Sequence, residues 1–169
     1  MNETTKQRGR RLLTPLLKLL AATRVSATAV TLTALPLSVL AAWFFASGWF
    51  ILGGVMVALV GLCDTLDGEL SRRTGTASAL GAFVDSTVDR LSESFVLVGL
   101  YWYYRDSWFG LLAVVALVFS LMVSYVRARA EGVGRECKIG FFERPVRVLV
   151  LLFGAFVLGR TWMPVALGV

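Results

Sequence analysis

Apolar residues run through this chain in blocks too long for a soluble core, and the polar residues collect between the blocks. No residue between Arg24 and Asp64 carries a charge. About 20 apolar residues cross a hydrocarbon core, so this interval holds two crossings, with Ser47-Gly48-Trp49 as the turn between them. Carried along the chain, the pattern predicts membrane-spanning helices over 27–46, 49–72, 79–104, 107–131 and 145–160. Ahead of them, residues 9–22 (Gly-Arg-Arg-Leu-Leu-Thr-Pro-Leu-Leu-Lys-Leu-Leu-Ala-Ala) mix leucines with cations, as an amphipathic helix lying at the headgroup level does. After Arg160 only Thr-Trp-Met-Pro-Val-Ala-Leu-Gly-Val follows, too short to span. The expected fold is therefore all-α: a polytopic transmembrane bundle of five spans plus a truncated sixth, preceded by an N-terminal interfacial helix. One domain covers 1–169, with 1–24 as the cytoplasmic juxtamembrane helix and 25–169 as the bundle.

Composition agrees: 57% of the residues are hydrophobic, against less than half in a typical soluble domain. The net charge of +6 is informative through its placement. Lys6, Arg8, Arg10, Arg11, Lys18 and Arg24 precede the first span, Arg72 and Arg73 follow the second, and Arg127, Arg129, Arg135, Lys138, Arg144 and Arg147 surround the fourth-to-fifth connection. Cations that sort by loop parity in this way mark the cytoplasmic side, which puts the amino terminus on the cytoplasmic side of a cell membrane. The same sorting argues against nucleic acid as the partner of a basic chain. Trp43, Trp49, Trp102, Tyr103, Tyr104, Trp108 and Trp162 gather near the outer ends of the spans, as interfacial anchors do. Cys63 and Cys137 have no metal-ligand spacing, and the chain contains no histidine. Acid–base chemistry therefore falls mainly to carboxylates.

Carboxylates lie where a membrane helix tolerates them least. The second span closes with Asp64-Thr-Leu-Asp67-Gly68, and the third carries Gly81-Ala-Phe-Val-Asp85-Ser-Thr-Val-Asp89. Residues three or four apart share a helix face, so each pair projects from one side. A short basic connection makes the two helices antiparallel neighbours, which brings all four Asp residues to the cytoplasmic end. Four converging carboxylates repel one another, and hard divalent cations such as Mg²⁺ or Mn²⁺ relieve that repulsion. Two ions held this way clamp the attacking and leaving oxygens of a phosphoryl transfer. Gly68 leaves room for a ligand beside Asp67, and Gly81 lies one turn before Asp85. Glu69, Glu93 and Asp106 read as surface residues.

Asp64-x2-Asp67-Gly68-x2-Ser71-Arg72-x8-Gly81-x3-Asp85-x3-Asp89 resembles the signature of the CDP-alcohol phosphotransferase family, with serine in place of alanine at Ser71. The resemblance implies that Asp64, Asp67, Asp85 and Asp89 hold metal. It implies that Asp89 is also the general base, and that Gly68, Arg72, Ser78 and Gly81 line the pocket for a CDP-diacylglycerol or CDP-dialkylglycerol lipid. It further implies CMP as leaving group and a homodimer. A second stretch, Ser124-Tyr-Val-Arg127-Ala-Arg129-Ala-Glu131 leading to Glu143-Arg144-Pro145-Val-Arg147, is similar to the phosphatidylinositol phosphate synthase branch. There the positions of Ser124, Arg127, Arg129 and Arg147 bind the acceptor's phosphate. Guanidinium forks suit phosphate, and Arg144 lies in the same basic group. Val146 stands where that branch has glutamate, Arg127 where it has lysine, and Val25–Thr31 matches the start of the first span only loosely. The implied acceptor is inositol phosphate, with glycerol phosphate second. Two readings from other classes remain at this point: a divalent-cation transporter, for which paired intramembrane Asp residues also suit, and an inactive membrane scaffold.

Overall fold

The computed structural model describes residues 25–135, and these form four α-helices with no strand among them: α1 (Ala27–Ala46), α2 (Phe50–Thr74), α3 (Ala79–Tyr104) and α4 (Trp108–Gly132). The predicted interfacial helix at 9–22 and the predicted fifth span at 145–160 lie outside the described residues. At about 1.5 Å per residue, helices of 20 to 26 residues are about 30–39 Å long, enough for a bilayer core of about 30 Å. α1, α2 and α4 are long and apolar enough to cross a membrane. The third predicted span forms a 26-residue helix but falls outside that class, because it carries Asp85, Asp89, Arg90 and Glu93. All four of those side chains are half-buried, so the helix turns its charge into the bundle, as a membrane requires.

Local signals set the helix ends. Ser26 and Ser78 cap α1 and α3, their hydroxyls accepting hydrogen bonds from Ala29 N (3.1 Å) and Gly81 N (3.0 Å). α2 ends on Gly75 at φ +67°, a left-handed conformation that glycine adopts without strain. Three- and four-residue connections between helices make sequential neighbours antiparallel.

The order across the bundle differs from the order along the chain. α1 packs against both α2 and α3, whereas α2 and α3 barely touch; α4 packs on α3. Apolar packing fills the end of the bundle near the α1–α2 turn: Phe45 and Leu100 are fully buried beside Phe50, Val57, Val96 and Leu97. The Phe50 ring meets Tyr103 edge-on at 4.9 Å. At the same end Trp43, Trp49, Trp102 and Trp108 are all more than half exposed, the disposition expected of interfacial anchors. Lipid tails give no hydrophobic drive between helices, so small residues that allow close approach carry the packing. Gly99 is the clearest case, its Cα facing the Ala42 backbone so closely that a methyl there would lie 2.6 Å from Ala42 Cα.

Candidate active site

The end away from the aromatic cluster is polar. Asp64 of α2 and Asp85 and Asp89 of α3 each bring a carboxylate oxygen to within 4.8 Å of the others, with all three side chains half-buried. These helices hardly contact each other, and that gap leaves room between the carboxylates. Three hard oxygen donors at this spacing fit one Mg²⁺- or Mn²⁺-type ion, and a set of carboxylates without sulfur or imidazole selects that class of metal.

Asp67, the fourth expected ligand, stands outside this triad. It is 5% exposed, and its Oδ2 accepts a hydrogen bond of 2.5 Å from Thr31 Oγ1 on α1. Two side chains three residues apart are separated by about 60° around a helix axis. Asp64 accordingly faces α3 while Asp67 faces α1.

Beside the carboxylates lies a cavity of about 520 Å³ between the start of α1, the second half of α2 and the start of α3. Asp67 and Asp85 are among its lining residues. The rest of the lining is rich in hydroxyls from Ser26, Thr28, Thr31, Ser71, Thr74, Thr76 and Ser78. Two capped helix N-termini, those of α1 and α3, open onto it. Helix N-termini and hydroxyl groups favour a phosphate-bearing ligand. Gly68 and Gly81 also line the cavity. A methyl at Gly68 would meet nothing closer than the Arg72 guanidinium at 3.5 Å, so the protein itself leaves room for a side chain there. What a side chain would take up is cavity.

Of the four residues expected to line a CDP pocket, Gly68, Ser78 and Gly81 border the cavity and Arg72 does not. The Arg72 guanidinium lies beside Gly68 and pairs with Glu69 at 3.1 Å, while Arg73 pairs with the same carboxylate, also at 3.1 Å. Glu69 is thus no loose surface residue: its side chain is only 13% exposed and anchors two arginines. Asp106, by contrast, is 93% exposed, beside Arg105. Ser124 is half-buried on α4, whereas Arg127 and Arg129, three and five residues further on, are exposed, Arg127 reaching Glu131 at 3.4 Å. Arg144 and Arg147 lie outside the described residues. Thr31 is not among the site residues that the motifs single out. Its signal was the polar spacing Ser26, Thr28, Thr31 on the first turns of an otherwise apolar helix.

A carboxylate triad spaced to hold a divalent metal, next to a hydroxyl-lined cavity on an all-helical bundle, is the kind of site a membrane enzyme uses for phosphate-containing substrates. The sequence model for CDP-alcohol phosphatidyltransferases matches residues 24–169, and the chain belongs to that family. Among its relatives, archaetidylinositol phosphate synthase of Methanothermobacter thermautotrophicus is 44% identical over 112 residues, covering 66% of this chain and 56% of the relative. Phosphatidylinositol phosphate synthase of Mycobacterium tuberculosis is 36% identical over 124 residues, covering 71% of this chain and 57% of the relative. The chain thus spans little more than half the length of these curated relatives. The crystal structure of the M. tuberculosis synthase with CDP-DAG bound superposes with a TM-score of 0.84 at 32% identity, covering 93% of this chain and 84% of that one. The same synthase in complex with manganese and citrate gives a TM-score of 0.83 at 31% identity, covering 90% of this chain and 78% of that one.

Proposed function

We propose that this protein transfers a phosphatidyl-type group from a CDP-linked lipid to a phosphorylated alcohol, with inositol phosphate as acceptor and CMP as leaving group. The observation that carries this reading is the convergence of Asp64, Asp85 and Asp89 at 4.8 Å or less beside the hydroxyl-lined cavity. The relatives named as phosphatidylinositol and archaetidylinositol phosphate synthases support the choice of acceptor, and the neighbour with CDP-DAG bound supports the choice of donor.

In this reading Asp64, Asp67, Asp85 and Asp89 hold two divalent ions, Mg²⁺ or Mn²⁺, which when bound neutralise the phosphates and the charge developing on the leaving oxygen. Asp89 takes the proton from the acceptor hydroxyl. The acceptor oxygen then forms a bond to the lipid-linked phosphorus. The bond from that phosphorus to the bridging oxygen breaks, and CMP departs with the electron pair. The capped starts of α1 and α3, with Gly68, Ser78 and Gly81, receive the diphosphate and cytidine. Arg72, held beside Gly68 by Glu69, supplies positive charge close to the cavity. Ser124, Arg127, Arg129, Arg144 and Arg147 bind the acceptor's phosphate. The described helices lie in a cell membrane with the site on the cytoplasmic side, and the protein works as a homodimer.

A divalent-cation transporter would need a polar path through the bundle. Among the described residues, the end opposite the carboxylates is filled by Phe45, Phe50, Leu97 and Leu100, all buried, which favours the transferase. The test is CMP release by purified protein in lipid with CDP-diacylglycerol and Mg²⁺, comparing inositol phosphate, glycerol phosphate, free inositol and serine. Release with inositol phosphate alone supports the reading. Release with glycerol phosphate alone moves the protein to the second acceptor, and metal flux without release moves it to transport.

A further inference from the structure

We propose that Thr31 is a positioning residue of this site, its hydroxyl holding the Asp67 carboxylate in the orientation that the metal and donor require. The inference rests on the proposed function and deepens it.

Thr31 and Asp67 lie 36 residues apart, on α1 and α2, and are 6% and 5% exposed. Their 2.5 Å contact falls in the range of an O–H···O⁻ bond to a charged acceptor, a stronger class than neutral pairs. The hydroxyl has one proton and two acceptors within reach. Ala27 O lies at 3.1 Å and Asp67 Oδ2 at 2.5 Å, and both the shorter distance and the charge assign the proton to Asp67. The torsion that turns an Asp carboxylate is broad and two-fold, so packing alone does not fix the plane of this one. With Oδ2 committed to Thr31, the plane is set and Oδ1 is the oxygen that Asp67 can offer elsewhere.

The location gives the bond its consequence. Both residues line the cavity, together with Gly68 and Asp85. α1 is also the helix that bridges α2 and α3, which carry the carboxylate triad but barely meet. The Thr31–Asp67 bond therefore ties one cavity wall to the helix bearing two of the motif carboxylates. Loss of a partner that orients a ligand from behind typically costs 10–100-fold in metal affinity or activity.

The test uses Thr31→Val, which keeps the branched shape and removes the donor, and Thr31→Ser, which keeps the donor and removes the methyl. Thr33→Val is the control: its hydroxyl bonds to Val30 O at 2.6 Å on the same helix. For each full-length protein in lipid, Mn²⁺ binding is read by electron paramagnetic resonance without donor. CMP release is then titrated with Mn²⁺ and with CDP-diacylglycerol. Thr31→Val is expected to bind Mn²⁺ about tenfold more weakly and to lose at least as much kcat, with Thr31→Ser and Thr33→Val within about twofold of the parent protein. Unchanged Mn²⁺ affinity and kinetics in Thr31→Val overturn the proposal. So does equal loss in Thr31→Val and Thr31→Ser, which would show that keeping the hydroxyl donor does not keep the function. Should Thr31→Val fail to fold, Thr31→Ala, which removes the donor without adding an apolar group, decides in the same way against Thr31→Ser. If the parent protein binds Mn²⁺ but releases no CMP, the functional reading fails, while the binding comparison still judges Thr31.

Discussion

Replacing Gly99 by alanine adds one methyl group where α1 and α3 come close together. Built on the present backbone, that methyl would lie 2.6 Å from Ala42 Cα and 2.8 Å from Ala42 C, both backbone atoms that cannot swing aside. Carbon atoms pack best at about 3.5–4.0 Å, so the two helices must part by most of an ångström. Their small-residue contact is lost along with the burial of Leu97 and Leu100 around it. Overpacking of this kind costs about 1–3 kcal/mol. Gly61 is the matched comparison: it is a helical glycine on α2 whose added methyl would meet nothing within 4 Å. There alanine removes the backbone entropy cost of glycine and gains up to about 1 kcal/mol. Side-by-side denaturation in one detergent, followed by circular dichroism, should therefore rank Gly61→Ala at or above the parent protein and Gly99→Ala well below it. Equal stability of the two variants would refute the close packing of α1 on α3, and with it the arrangement that places α1 between α2 and α3.

Asp85→Asn removes one charge from the triad and should weaken Mn²⁺ binding by at least tenfold, measured by calorimetry, while leaving the helical circular dichroism signal intact. Gly68→Val is expected to leave stability within about 0.5 kcal/mol, the usual range for a substitution away from tight packing, and to raise the KM for CDP-diacylglycerol, because the added side chain occupies cavity and not protein. Arg72→Gln should change stability by less than about 1 kcal/mol, since the Arg72 side chain is 60% exposed and Glu69 keeps its pair with Arg73, yet lower CMP release tenfold or more; stability and activity falling together would make Arg72 structural.

Most of the architecture was legible because its signals are local. The predicted spans 27–46, 49–72, 79–104 and 107–131 fall within two residues of α1 to α4. Uncharged runs, the serine caps at Ser26 and Ser78 and the glycine at Gly75 all act on neighbours in sequence. The spacing of Asp64, Asp85 and Asp89 carried the candidate metal site for the same reason, since helix periodicity decides which residues share a face. What escaped was non-local. Antiparallel neighbours in sequence need not pack together, and nothing in the residues of α2 and α3 reveals that α1 bridges them. The turn of Asp67 toward Thr31 follows from that placement, as does the half-burial of the charges on α3. Glu69 misled because an acidic residue beside two arginines at a helix end reads as a loose surface group, whereas here it anchors both.

The central claim is tested most directly by CMP release from CDP-diacylglycerol with inositol phosphate as acceptor, measured for the parent protein and for Asp89→Asn, each after chelation and after Mg²⁺ or Mn²⁺ is restored. CMP release that stops on chelation, returns with metal and is absent in Asp89→Asn is the predicted result. Release that persists without metal, or that survives in Asp89→Asn, would contradict it.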